Sequence, residues 1–168
     1  AFDKMIHAFL KLLLSGILVS VIGIQGLFAQ TLSVTGEVKT PLLFKLSDFQ
    51  SLERAEVTAK DRDGKEHRYA GVPLTVILRK AGVTLGGELR GENLSKYMIA
   101  KAGDGYEVLF SLAEVDAEFS GRTILVADSV DGAPLPQGVG PFRLVIPDEK
   151  RPARWIRELK SIEIRFAK

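Results

Sequence analysis

From residue 30 onward the apolar residues come in short runs, each closed within a few positions by glycine, proline or an aspartate-containing turn. That punctuation constrains the fold more than any other feature of the chain, because runs of about four to eight residues read as strands rather than long helices. Residues 31–37 read as a strand ending at Gly36, and residues 41–46 as an extended entry to a brief helix. There Ser47 is the expected N-cap, with Leu46, Phe49 and Leu52 at helical spacing,. Residues 55–60 and 65–69 flank Asp61-Arg62-Asp63-Gly64, which predicts a hairpin,. Pro73 opens the clearest helix, with Leu74, Ile77, Leu78 and Ala81 on one stripe and Gly82 as the stop,.

The second half repeats the pattern. Residues 96–102 and 106–110 are strands joined by Gly103-Asp104-Gly105,. Ser111 and Glu114 form a capping-box signature, and residues 123–127 read as a central strand,. Residues 132–141 hold three prolines and three glycines, hence a rigid irregular loop,. Residues 142–146 form a buried strand, and residues 159–166 alternate with Ile162, Ile164 and Phe166 inward,. Many strands with few short helices predict an α+β fold with a mixed, mainly antiparallel β-sheet, not a doubly wound parallel sheet. No repeat, low-complexity tract or linker divides residues 30–168, which read as one domain.

The first 29 residues differ in kind. Lys4, His7 and Lys11 precede an uncharged stretch over residues 12–28, and Ala29 follows as a small residue. A basic start, an apolar run and a small terminal residue predict a secretory signal peptide over residues 1–29. An uncleaved N-terminal anchor is the alternative, since Leu27 is large for a cleavage site and the run is slightly short of the roughly 20 residues a span needs,. Either places the domain in the periplasm or outside the cell, with membrane attachment only through an uncleaved segment. Export argues against ATP- or NAD-dependent chemistry unless the cofactor is loaded beforehand.

Composition narrows the chemistry by subtraction. There is no cysteine among 168 residues. Disulfides, cysteine–zinc sites, thiol nucleophiles and thiolate-held metals are therefore excluded. A net charge of +2 is too small for a dedicated nucleic-acid binder,. Beyond the leader, His67 is the only histidine, and in Glu66-His67-Arg68 it reads as a solvated strand residue rather than a triad base,. Asp61-x-Asp63-Gly64 resembles the start of a calcium loop, but Lys65 and the missing distal glutamate spoil it,. Gly138-Val139-Gly140 precedes a proline instead of a helix, so it is no dinucleotide fingerprint,. Gly140 permits an unusual backbone path or the close approach of a ligand.

The densest chemistry lies at Gly140-Pro141-Phe142-Arg143-Leu144-Val145-Ile146-Pro147 and the following Asp148 to Trp155. Arg143, Arg151 and Arg154 offer planar donor forks suited to phosphate or carboxylate, and Trp155, the one tryptophan, offers a stacking face,. The competing reading is a solvated basic loop paired with Asp148 and Glu149, with Trp155 as a core plug.

This stretch, taken with Val34-Thr35-Gly36-Glu37-Val38, Gly71-Val72-Pro73-Leu74, Ala81-Gly82-Val83, Asp104-Gly105-Tyr106, Pro134-Leu135-Pro136 and Arg151-x-x-Arg154-Trp155, resembles the molybdopterin-binding domain of the sulfite-oxidase family of oxidoreductases. The pieces occur in the family's order over about residues 31 to 166. The resemblance implies an α+β domain whose pocket holds a molybdenum–pterin cofactor, with Arg143, Arg151 and Arg154 near the pterin phosphate and Trp155, Tyr106 and Gly140 beside it. It also implies a metal-ligating cysteine at the end of the strand after the first helix. The corresponding stretch here is Val57-Thr58-Ala59-Lys60-Asp61. Neither an alanine methyl nor a lysine ammonium replaces a thiolate on molybdenum.

Three functions follow as expectations. One is an exported, redox-silent domain that binds a small anionic ligand or pterin-like group through the Arg/Trp segment, with no catalytic or metal-ligating residue. Another is an active molybdopterin-dependent oxidoreductase with an unusual metal ligand. The third is an envelope module that binds a protein partner.

Overall fold

The structure, a computed structural model, describes residues 30–167. The expected leader or anchor over residues 1–29 lies outside the described residues. Among those described, no helix is long and apolar enough to cross a membrane.

Among the described residues, ten strands and four short α-helices follow one another in the expected α+β pattern. Strand β1 (Thr31–Gly36) pairs antiparallel with β2 (Leu42–Lys45), and helix α1 (Leu46–Gln50) follows directly. The cap differs from expectation: Lys45, not Ser47, is the N-cap residue, and its amide donates to Asp48 Oδ2 at 3.3 Å. The helix thus starts two residues early, at Leu46, and Phe49 is fully buried. Strands β3 (Ala55–Lys60) and β4 (Glu66–Pro73) form the predicted hairpin. Helix α2 (Leu74–Lys80) then buries Leu74, Ile77 and Leu78. It is followed by Ala81, and by Gly82 at φ +70°, a conformation that glycine alone adopts without strain,.

Strands β5 (Lys96–Ala102) and β6 (Glu107–Ser111) form the second hairpin. Helix α3 (Leu112–Val115) carries the capping box: Glu114 N–H donates to Ser111 Oγ, and Ser111 N–H to Glu114 Oε2, each at 3.2 Å. Helix α4 (Ala117–Ser120) is capped by Asp116. The central strand β7 (Leu125–Val130) starts later than residue 123 and runs past residue 127. Its polar extension is tolerated because Arg54 neutralises buried Asp128 through two bonds of 2.9 and 2.7 Å. The proline-rich loop contains the two-residue strand β8 (Ala133–Pro134) before β9 (Arg143–Val145). Strand β10 (Leu159–Phe166) closes the chain with Ile162 and Ile164 buried. Phe166 is only half-buried, and its ring is covered by the Lys96 ammonium at 4.8 Å.

The strands form two sheets, ordered β2-β1-β10-β5-β6 and β3-β4-β7-β8, with β9 also on β7. Among the described residues only β1–β10 is parallel, and the other pairings are antiparallel. Residues of both sheets meet in one continuous core. The chain between β9 and β10 ties the sheets together, since Leu144 N–H donates to the Ile156 carbonyl at 2.9 Å and Leu159 N–H to that of Phe142 at 2.8 Å. The connections at that junction shape the site.

Candidate functional site

A cleft of about 390 Å³ opens where connections from both sheets converge. The β3–β4 turn contributes Arg62, the β5–β6 turn Asp104 and Tyr106, and the segment leading into β10 contributes Trp155, Arg157 and Glu158. Two further clefts, of about 300 and 430 Å³, adjoin it around Gly140, Pro141 and Glu158. Glu158 borders all three, in a left-handed conformation at φ 49°. Its amide donates to the Val139 carbonyl and its carbonyl accepts from Gly103, so the loops are pinned to each other here.

Behind the cleft stands a polar cluster in the core. Arg143, 6% exposed at the start of β9, forms a two-pronged pair with Asp61 at 2.7 and 2.9 Å. The Tyr69 hydroxyl donates to Asp61 Oδ2 at 2.6 Å and accepts from Arg143 Nη1 at 3.1 Å. Arg143 also lies over the rings of Tyr69 and Trp155, 5.3 Å from each centroid. Burial opposes ionisation of Asp61, but the bonds from Arg143, Tyr69 and the Arg62 amide outweigh it and hold its carboxyl far below the ordinary range,. Burial first, and then the bond to Asp61, pushes the Tyr69 phenol well above its usual value.

The six residues singled out by sequence divide accordingly. Trp155 and Tyr106 line the cleft. Trp155 is 2% exposed, so it is both a core plug and a cleft wall, and its Nε1–H has no partner among the described residues. Tyr106 is 52% exposed, and its hydroxyl donates to the Ala153 carbonyl at 3.1 Å, which fixes the ring at the rim. Arg143 is committed to Asp61. Arg154 is committed too: Glu149 and Glu114 accept from its guanidinium, which covers the Phe110 ring at 4.5 Å. The Glu149 contact is the loop pairing that the sequence offered as the plain reading. Arg151 is exposed and does not line the cleft. Gly140 is buried, and a Cβ there would lie 2.7 Å from the Leu135 Cβ.

Sequence reasoning missed Arg62 and Arg157, the exposed cations that border the cleft. Each sat among charges that read as ordinary turn or surface residues. It also took Asp61 for a turn residue alone and His67 for a solvated one. In the structure Asp63 and Asp131 flank the His67 ring, whose side chain is 24% exposed. Among the described residues no group of three or more His, Asp or Glu side chains is arranged to hold a metal.

No family model and no curated protein sequence matches the chain. Among solved structures, the sulfane dehydrogenase SoxCD from Paracoccus pantotrophus matches with a TM-score of 0.63 at 22% identity. The match covers 80% of this chain and 37% of that one. It shows a shared fold, and the chain spans little more than a third of its neighbour's length.

Proposed function

We propose that this protein is a redox-silent domain on a molybdopterin-oxidoreductase-like scaffold, and that it binds a small anion in the cleft walled by Trp155. One observation carries the reading: just past the end of β3, where the sulfite-oxidase resemblance calls for a metal-ligating thiolate, Asp61 is locked onto Arg143. A carboxylate held by both prongs of a buried guanidinium has its oxygens spoken for, and the chain contains no sulfur donor but methionine,. Arg154, which the resemblance places near the pterin phosphate, already holds two carboxylates. The residues present therefore do not fit a molybdenum–pterin group, and no chemical step is assigned through one.

Ligand capture then falls to cations that no carboxylate of the described residues occupies. Arg62 and Arg157 border the cleft, and their forks suit a planar or tetrahedral oxyanion,. The exposed ring of Tyr106 and the side chain of Trp155 add an aromatic wall beside them,. Asp104 and Glu158 at the same rim limit the site to small ligands that can turn their charge toward the arginines. The leader-like pattern of residues 1–29 supports a periplasmic or secreted location for this binding.

Sulfate titration monitored by thermal unfolding tests the cleft. A ligand at a hundred times its dissociation constant adds about 2.7 kcal/mol of apparent stability, enough for a clear rise in melting temperature. The rise is expected in the wild type and lost in Arg62→Ala/Arg157→Ala. A rise that survives both substitutions overturns the site. Metal analysis of protein purified from its native host tests the silent scaffold: molybdenum at stoichiometric level would defeat it.

A further inference from the structure

The β3–β4 turn that carries Arg62 to the cleft is held on its outer side by a single imidazole. Within the turn, Asp61 N–H donates to the Lys65 carbonyl at 2.9 Å, and Lys65 N–H donates to Asp63 Oδ1 at 2.9 Å. The other Asp63 oxygen lies 2.9 Å from His67 Nε2. On the far side of the ring, His67 Nδ1 lies 2.6 Å from Asp131 Oδ2, at the β7–β8 turn. Asp131 is itself fixed: its backbone is left-handed at φ 51°, its amide donates to the Arg68 carbonyl, and its Oδ1 accepts the Arg68 amide at 2.9 Å.

Carboxylates ionised at neutral pH bring no hydrogen to either contact, so each ring nitrogen must supply one. A neutral imidazole carries one N–H and the imidazolium two. Both contacts therefore coexist only in the charged ring. We propose that His67 is a proton-dependent positioning residue: as an imidazolium it clamps the Arg62-bearing turn to the β7–β8 turn, and loss of its proton weakens anion capture in the cleft. The effect on capture rests on the cleft reading above; the clamp does not.

Among the described residues, two carboxylates contact the ring. Asp63 faces it from the turn and Asp131 from β7–β8. Asp61, in the same turn as Asp63, is neutralised by Arg143. Along β4, Tyr69 stands edge-on at 6.3 Å between centroids. Strand β3 presents uncharged Ala59 opposite His67, while the flanking Glu66 and Arg68 oppose Lys60 and Thr58, and Arg68 lies 3.8 Å from Glu56. Among the described residues no cation contacts the ring, and its bonds to Asp131 and Asp63 raise its pKa above the ordinary value of 6.5. Those same contacts, with the Lys65 and Arg68 amides, lower both aspartates. The clamp is thus complete below pH 6.5, provided the aspartates stay ionised, and is released as pH rises through the folded value for His67.

Sulfate, which keeps one charge state from pH 5.5 to 8.5, is the probe, titrated into the full chain by calorimetry at both limits. The wild type should bind more weakly at the upper limit by roughly fivefold or more, the lower end of ordinary site-to-site coupling. His67→Gln should bind with the same affinity at both. A flat wild type, or a variant with the wild-type slope, overturns the proposal. Should sulfate bind at neither pH, the cleft reading falls and the clamp is judged by NMR titration of the His67 ring. A midpoint above 6.5 that drops in Asp131→Asn supports it; a midpoint at or below 6.5 overturns it.

Discussion

Asp61 and Arg143 stand 82 residues apart in sequence and within hydrogen-bonding distance in the fold. A pair buried this far contributes little net stability but is costly to break, because the surviving charge is left in a poorly solvated place. Asp61→Ala is therefore expected to cost about 3–5 kcal/mol in urea unfolding, and Asp61→Leu/Arg143→Met much less than the single change. The pH dependence has a definite sign. The folded pKa of Asp61 lies below its unfolded value, so its contribution is complete above the ordinary carboxylate range and lost as pH falls through the depressed value,. Each partner's residue type was legible as a candidate, Arg143 for anion contact and Asp61 for a turn. Their union was not, because no local pattern links a turn after β3 to the start of β9.

At the scale of elements, local rules performed well where local bonds decide the outcome. The two hairpins, helix α2 and the Ser111–Glu114 capping box follow from turn chemistry and spacing that act within a few residues,. The α1 cap and the length of β7 did not follow, since in one a backbone amide took the aspartate and in the other a distant arginine neutralised a charge inside a strand. Gly71 belongs to the second kind. It sits at a register shift on β4, and a Cβ there would lie 2.1 Å from the Val126 carbonyl oxygen of β7. Gly71→Ala should destabilise the protein by about 2 kcal/mol or more, as overpacking between neighbouring strands does, with a lowered urea midpoint as the readout.

For the molecule as a whole, both sheets share one core and the β9–β10 connection stitches them together. They should unfold as one cooperative unit. The fluorescence of Trp155, buried at that junction, and far-ultraviolet circular dichroism should report the same urea midpoint; two separated midpoints would show that the sheets melt independently. The α+β class, the antiparallel bias and the exclusion of thiolate chemistry were all written in residue order and residue type, because each depends on neighbours along the chain or on what is simply missing from it. Which carboxylates most of the candidate arginines meet was decided by the tertiary structure. A guanidinium's availability depends on the carboxylates beside it in space: the fold brought Asp61 to Arg143 and Glu114 to Arg154 from other elements, beside the local Glu149, while Arg62 and Arg157 border the open cleft.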